Sequence, residues 1–539
     1  MGGSASYGTP HLTPPNAGYG AERCLFADMI FTLIPWRVGR LQSGFSGKRP
    51  RRGQRPSNLI NFIITNISRK EQPVKIGFYG AAQQVTGSCY LLEENGLRIL
   101  VDCGLYQERD FLSRNWEPFP FSPQTIDYLL LSHVHIDHGG LIPKLVREGF
   151  RGNILATLPS QDMLPIVLLD SARIHEEDAA YKKKRHKKEG RRGPHPEIPL
   201  YTVEDAEKSL DQVESIPYNS KTELNRNVSV CFHDAGHILG SAMLEIKWNT
   251  NGSERTILFS GDMGQNDKPL IKDPTMFERA DYVVMETTYG DRVHEDPADV
   301  EEMLCRFINE TIEAGGNILI PTFAIERAQE LLYHLSLLSR QDRIPYLMMF
   351  LDSPMAVNIT DVFRRNLSVM DKETKELFRD GKSPFQFPGL RLVRAVEESK
   401  AINTIKGSCI VMAGSGMCTG GRIKHHLVKN ISRPESTLLF VGYQAKGTLG
   451  RLLIEGKNPV RILGKNHDVR ARIEQIHGFS AHADKLGLMR WVTHLKNEPR
   501  RIFLTHGERE GAFSFAEEIK RTKNWKTHVP EYMEEVDLG

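Results

Sequence analysis

Between Ser132 and Gly140 the chain reads Ser-His-Val-His-Ile-Asp-His-Gly-Gly, which places His133, His135, Asp137 and His138 within six residues. Imidazole nitrogens and carboxylate oxygens at this density are a metal-ligand pattern. Residues that alternate along an extended turn point to opposite sides, so His133 and His135 can share one ion while Asp137 and His138 face a neighbouring position. Two metals are therefore expected. The nitrogen-and-oxygen donor set suits Zn²⁺, and the lack of thiolate argues against a closed structural zinc site, which usually takes cysteines.

The elements that must hold these groups can be read around them. The apolar run 126–131 reads as a buried strand and 141–149 as a short helix, so the cluster lies in a strand-to-helix loop. Four further polar residues follow the same pattern of an apolar strand, a small residue and a ligand type: His237 after 228–232, Asp262 after 256–260, His482 beyond 473–476 and His506 after 501–504. Taken singly, such a histidine is commonly a hydrogen-bonded core or loop residue, and such an aspartate a turn residue or cap. In an α/β sandwich, however, ligands gather beyond one end of the strands, so these residues can meet there. Their joint occurrence with the first cluster is the signal.

From about Val74 to the C-terminus the chain resembles the metallo-β-lactamase superfamily and, more narrowly, its β-CASP branch of nucleic-acid nucleases. Asp102 in Ile-Leu-Val-Asp-Cys-Gly matches the first superfamily motif, His133 to His138 the second, His237 the third and Asp262 the fourth. Glu286 in Glu-Thr-Thr-Tyr-Gly, His482 in Phe-Ser-Ala-His-Ala-Asp and His506 match the three motifs that the branch adds. The resemblance implies an α/β fold, an αββα metallo-β-lactamase sandwich with an inserted α/β β-CASP domain. In this family a histidine at the last motif goes with RNA processing, and the chain is most similar to bacterial and archaeal proteins that resemble the endonuclease subunit of the pre-mRNA cleavage and polyadenylation factor. The implied activity is a zinc-dependent ribonuclease, mainly endonucleolytic, with 5′-exonucleolytic cleavage left open.

The same resemblance implies two Zn²⁺ per chain, with His133, His135 and His237 on one, Asp137, His138 and His506 on the other, and Asp262 as a bridge. Such a pair lowers the pKa of a bound water towards neutrality and offsets charge on a phosphodiester during in-line displacement. Asp102 has no direct place among these ligands and is read as accepting a hydrogen bond from a ligand imidazole. His482 is read as the acid that protonates the leaving oxygen, with Glu286 favouring its imidazolium form and aiming its ring.

Residues 1–73, rich in Gly, Pro, Ser and Arg, are expected to form a largely disordered basic extension. Residues 1–75 carry 11 Lys and Arg against 3 acidic residues in a chain of net charge +3, so the remainder is about 5 units acidic. A translation start at Val74 is conceivable, since Met1 and Met29 are the only earlier methionines. The expected division is 74–286 and 456–539 for the two parts of the sandwich and 287–455 for the insert. RNA must then be gripped by local patches. The densest is Lys182, Lys183, Lys184 and Arg185 with the basic residues up to Arg192. In the insert, Gly414-Ser415-Gly416 and the segment holding Lys446 and Arg451 follow strands where backbone N–H groups can cradle phosphates.

Seven scattered cysteines without Cys-x-x-Cys spacing read as reduced thiols. With no apolar run of membrane length and no leader pattern, a cytoplasmic enzyme without a membrane partner is expected. A homodimer is left open. Two other function classes compete: a small-molecule metallo-hydrolase acting on a thioester or lactam, against which Glu286, His482, His506 and the insert speak, and a non-catalytic RNA-binding subunit, against which the complete ligand set speaks.

Overall fold

The computed structural model describes residues 73–190, 193, 197–250, 252–294 and 300–539. The expectation for the N-terminal extension therefore falls outside the described residues, as do Arg191 and Arg192 of the basic run.

Alternating apolar residues build two seven-stranded sheets that face each other. The first runs Glu534–Leu538, Val74–Phe78, Tyr90–Glu94, Leu97–Val101, Tyr128–Leu130, Asn153–Thr157, Val213–Ile216. Its pairings are antiparallel as far as Leu97–Val101 and parallel beyond it. The second runs Thr527–His528, Arg501–Thr505, Tyr282–Glu286, Ser253–Phe259, Ala242–Thr250, Val228–Asp234, Lys221–Glu223. In the strand Val228–Asp234 the even-numbered apolar residues Val228, Val230 and Phe232 point into the space between the sheets, as period-two alternation requires. Phe78 of the first sheet meets Phe503 of the second there, ring centroids 5.0 Å apart.

Helices close both outer faces. Leu145 of Ile142–Arg147, Leu164 and Leu168 of Leu158–Glu189 and Ala206 of Val203–Leu210 share one core with residues of the first sheet. Leu488 and Trp491 of Lys485–Thr493 and Phe515 and Ile519 of Arg509–Lys523 cover the second. The result is the expected αββα sandwich. Among the described residues, no helix is long and apolar enough to cross a membrane.

The insert's six-stranded sheet is wholly parallel, in the order Leu390–Leu392, Met348–Asp352, Cys409–Ala413, Ile318–Pro321, Thr437–Phe440, Arg472–Gln475. Its central strands are buried at every residue because helices cover both faces. The last strand corrects the boundary read at 455/456. Leu438 is in register with Ile473 and Phe440 with Gln475, so the chain returns to the sandwich only after Gln475. Arg-Ile-Glu-Gln is a half-buried edge strand with little apolar character of its own, and its membership is decided by the hydrogen bonds it offers its neighbour.

Candidate metal centre

The strand ends deliver the predicted residues to one place. Asp102 follows Leu97–Val101, His133 lies just past Tyr128–Leu130, Asp262 follows Ser253–Phe259, and His506 follows Arg501–Thr505. His237 sits in the hairpin between Val228–Asp234 and Ala242–Thr250. Sharp turns are needed, and Asp102 (φ +59°) and His506 (φ +45°) adopt the left-handed region to make them. The loops also touch closely: a Cβ on Gly264 would lie 1.6 Å from the carbonyl oxygen of Gly236, so the segments bearing Asp262 and His237 can pack only with glycine there. The extended-turn reading of the first cluster needs one correction. His135 immediately precedes the short helix Ile136–Gly139 and makes no side-chain capping bond to it, and Asp137 and His138 are helical residues.

Asp262 divides the donors into two sets. Its Oδ2 lies 3.4 Å from His133 Nε2 and 3.5 Å from His237 Nε2, while its Oδ1 lies 3.1 Å from His138 Nε2 and 3.5 Å from His506 Nε2. His135 Nδ1 completes the first set, 3.0 Å from His133 Nε2 and 3.3 Å from His237 Nε2. Asp137 Oδ2 joins the second, 3.7 Å from His506 Nε2.

These residues fit a pair of divalent cations. Burial lowers the pKa of His133, holds that of His135 down to about 3, and drives that of His237 well below its ordinary value, so these rings are neutral. As neutral imidazoles, His133, His135 and His237 can each turn a ring-nitrogen lone pair to the point where these nitrogens converge, as a cation there requires. Asp262 Oδ1 is buried with no hydrogen-bond donor, although it faces two ring nitrogens. Nitrogen and carboxylate donors of this kind are borderline ligands that suit zinc.

Around the donors lies a set of orienting contacts. Asp102 Oδ2 accepts from His138 Nδ1 at 2.8 Å, and Ser132 donates to Asp102 through its N–H at 2.7 Å and its hydroxyl at 2.8 Å. Thr288 Oγ1 is 3.1 Å from His506 Nδ1. His482 Nδ1 is 3.2 Å from Glu286 Oε2, and its ring lies 4.5 Å from that of His237. Burial opposes charging this imidazole, but the carboxylates of Glu286 and Asp262 outweigh it and raise its pKa to about 9. Glu286 is itself fixed by the backbone N–H of Met263. Asp484, two residues on, caps the helix Lys485–Thr493 by accepting from Gly487 N, which leaves His482 free of that task.

Sequence reasoning left several contributors unassigned. Gln265 Nε2 donates to the carbonyls of Ser480 (3.0 Å) and His482 (3.2 Å), and His294 Nε2 to the carbonyl of His482 (3.0 Å). Glu326 Oε2 accepts from Leu239 N at 2.8 Å, tying the insert to the loop of His237. Thr288 and Tyr289 lie in the Glu286 motif, a local signal. Gln265, His294 and Glu326 have none.

The RNA-binding candidates fall in two places. Gly414, Ser415 and Gly416 follow Cys409–Ala413, Lys446 lies in the loop after Thr437–Phe440, and Arg451 in the helix Leu449–Ile454; Gln444 Nε2 bridges the two segments through the Gly416 carbonyl at 3.0 Å. Arg451 is paired with Glu455 at 2.6 Å. Lys182, Lys183, Lys184 and Arg185 occupy the last turns of the helix Leu158–Glu189, with Arg185 paired to Glu189 at 2.8 Å. That helix starts beside the His237 loop, where Ser160 Oγ donates to the Gly240 carbonyl, so at ~1.5 Å per residue the run lies roughly 35 Å further along its axis.

The chain matches family models for a metallo-beta-lactamase superfamily domain over residues 91–273, a Beta-Casp domain over 328–453 and a Zn-dependent metallo-hydrolase RNA specificity domain over 466–530. It is 39% identical over 432 residues to the ribonuclease TTHA0252 of Thermus thermophilus, covering 80% of this chain and 93% of that one. It is 30% identical over 491 residues to a transcription termination factor FttA of Methanosarcina mazei, covering 88% and 73%. Among solved structures, a protein of unknown function from Enterococcus faecalis V583 is similar in fold, with a TM-score of 0.51 at 11% identity, covering 87% of this chain and 100% of that one.

Proposed function

The chain belongs to the metallo-β-lactamase superfamily, in its β-CASP branch of RNA-processing metallo-hydrolases, and from that premise we propose that it cuts RNA phosphodiester bonds, mainly endonucleolytically, with two zinc ions in the histidine–aspartate centre. The observation that carries the two-metal reading is the division of donors by Asp262, one carboxylate oxygen for each set. His133, His135 and His237 would hold one ion, and Asp137, His138 and His506 the other. Two such ions supply a nucleophile at neutral pH and neutralise charge gathering on the phosphate oxygens.

The chain's own groups do the rest. Asp102 keeps the Nδ1 proton of His138 engaged and so turns its Nε2 towards Asp262. Glu286 engages Nδ1 of His482, leaving Nε2 to carry a proton to the leaving ribose oxygen. Gln265 and His294 both grip the His482 carbonyl and hold that ring in place beside His237. The loops of the insert at Gly414–Gly416 and Lys446, bridged by Gln444, would hold RNA backbone.

Incubation of the whole protein with RNA labelled at either end, with and without chelator and with zinc restored, tests the reading. Internal cuts that vanish with chelator and return with zinc are expected. Intact RNA together with zinc-dependent thioester turnover would overturn it in favour of a small-molecule hydrolase.

A further inference from the structure

A second group of metal-ligand side chains lies outside the centre just described. On Val228–Asp234 the odd-numbered residues Cys231 and His233 point away from the inter-sheet core, and Glu245 lies directly opposite Cys231 on the antiparallel neighbour Ala242–Thr250. Such cross-strand and diagonal neighbours are within reach of one another. One thiol, one imidazole and one carboxylate ligand atom here fall within 4.8 Å of each other.

Their mutual arrangement is more specific than proximity. His233 Nδ1 lies 2.9 Å from Asn219 Oδ1, which fixes the proton on Nδ1 and leaves the Nε2 lone pair pointing the other way. That lone pair faces an oxygen, Glu245 Oε2, at 3.4 Å. In a tetrahedral site with bonds of ~2.0–2.3 Å, neighbouring ligand atoms stand about 3.3–3.7 Å apart, so the pair needs little movement to share an ion. Glu245 Oε1 is held separately by Lys247 Nζ at 3.0 Å, which presents the carboxylate through a single oxygen. The His233 and Glu245 side chains are 15% and 17% exposed, and the ring of Phe277 packs edge-on against His233 at 5.0 Å, so the group is half-buried and still reached by solvent.

We propose that Cys231, His233 and Glu245 bind a divalent cation of the zinc type, in addition to the ions of the histidine–aspartate centre, with its fourth position open to water. A thiolate, an imidazole and a carboxylate form a set that zinc accepts readily, and an open fourth position makes the ion exchangeable. Burial raises the pKa of the Cys231 thiol and the Glu245 carboxylate raises it further; an arriving cation reverses both effects by displacing the thiol proton to solvent. The ion would clamp Val228–Asp234 to Ala242–Thr250, the two strands whose hairpin presents His237.

Thiolate ligation makes the site readable on its own, because no cysteine lies in the histidine–aspartate centre. The whole protein, stripped of metal and saturated with Co²⁺, should show a thiolate-to-cobalt charge-transfer band in the near ultraviolet. The band should vanish in Cys231→Ser and survive in Cys24→Ser and Cys305→Ser, while bound metal falls by one ion per chain in Cys231→Ser alone. On the unmodified protein, Cd²⁺ should slow alkylation of Cys231 at least tenfold without slowing that of Cys305, read by peptide mass. No thiolate band at cobalt saturation, a band that survives Cys231→Ser, or alkylation of Cys231 indifferent to Cd²⁺ would each overturn the proposal.

Discussion

Asp102 Oδ2 and His138 Nδ1 are joined at 2.8 Å in a pocket where both side chains are 2% exposed, and this bond aims the opposite nitrogen of His138 at Asp262 and His506. On the two-metal reading, the first motif would act on the ions through a ring that it orients. Ser132 braces the arrangement by giving two hydrogen bonds to the same carboxylate.

Asp102→Ala should accordingly weaken the ion held by Asp137, His138 and His506 more than its neighbour. The loss of such an orienting partner typically costs ~10–100-fold in metal affinity or activity. Metal retained against graded chelator concentrations measures it, and two ions held as tightly as in the unaltered protein would contradict the assignment.

His482→Ala should leave both ions bound and cut the rate on RNA by ~10²–10⁴, the usual contribution of a general acid. The loss should shrink on a p-nitrophenyl phosphodiester, whose leaving group departs without a proton. Glu286→Gln should give a smaller defect of the same kind, because Glu286 touches Nδ1 and not the reacting oxygen. His506→Ala should lose an ion and gain nothing from the better leaving group. If His482→Ala strips metal, or slows both substrates equally, His482 is a ligand or a structural residue.

The gathering of these residues is legible in the sequence as far as a local pattern reports it. A ligand behind an apolar strand is such a pattern, and the structure gathers His133, His135, His237, Asp262 and His506 as it implies. The helical placement of Asp137 and His138 was hidden because Gly139-Gly140 suggests a loop, whereas hydrogen bonds from the N–H groups of His138 and Gly139 to the His135 carbonyl wind a short helix. Gln265, His294 and Glu326 act through partners 217, 188 and 87 residues away, a distance at which no spacing rule operates. The strand before His482 is legible at 473–476, but its place at the edge of the insert's sheet, beside Thr437–Phe440, is not, since that follows from the sheet it joins.

The basic run on the long helix lies roughly 35 Å along the axis from the His237 loop, so it can reach only a substrate long enough to extend beyond the cleft. Replacing Lys182, Lys183, Lys184 and Arg185 together by Gln should flatten the salt dependence of binding for a long RNA, because fewer counterions are released per complex. A short oligonucleotide confined to the cleft should bind as before. An unchanged slope on long RNA would assign the run to solvation alone and leave the grip to Lys446 and the Gly414–Gly416 loop.

Glu326, which links the insert to Leu239, offers a test of that junction through pH. Burial is the main cause that raises its carboxyl to about 8, Glu330 adds to it, and the Leu239 N–H, Arg327 and Lys268 oppose it; the second oxygen has no hydrogen-bond partner. An unfolded glutamate titrates near ~4.3, so between there and about 8 the unfolded chain has released a proton that the folded chain still holds. Stability from this group is then fully present at low pH, declines as pH rises through that window, and levels off above it. Glu326→Gln keeps an oxygen for Leu239 N but cannot ionise. Its stability relative to the unaltered protein should therefore climb from pH 5 to pH 8, by at most a few kcal/mol, since a tenfold difference in proton affinity between the folded and unfolded chain is worth ~1.4 kcal/mol. Denaturant midpoints of the two proteins at both pH values give the comparison, in which the other titrating groups cancel; a gap that stays constant or narrows would show that Glu326 is ionised in the fold.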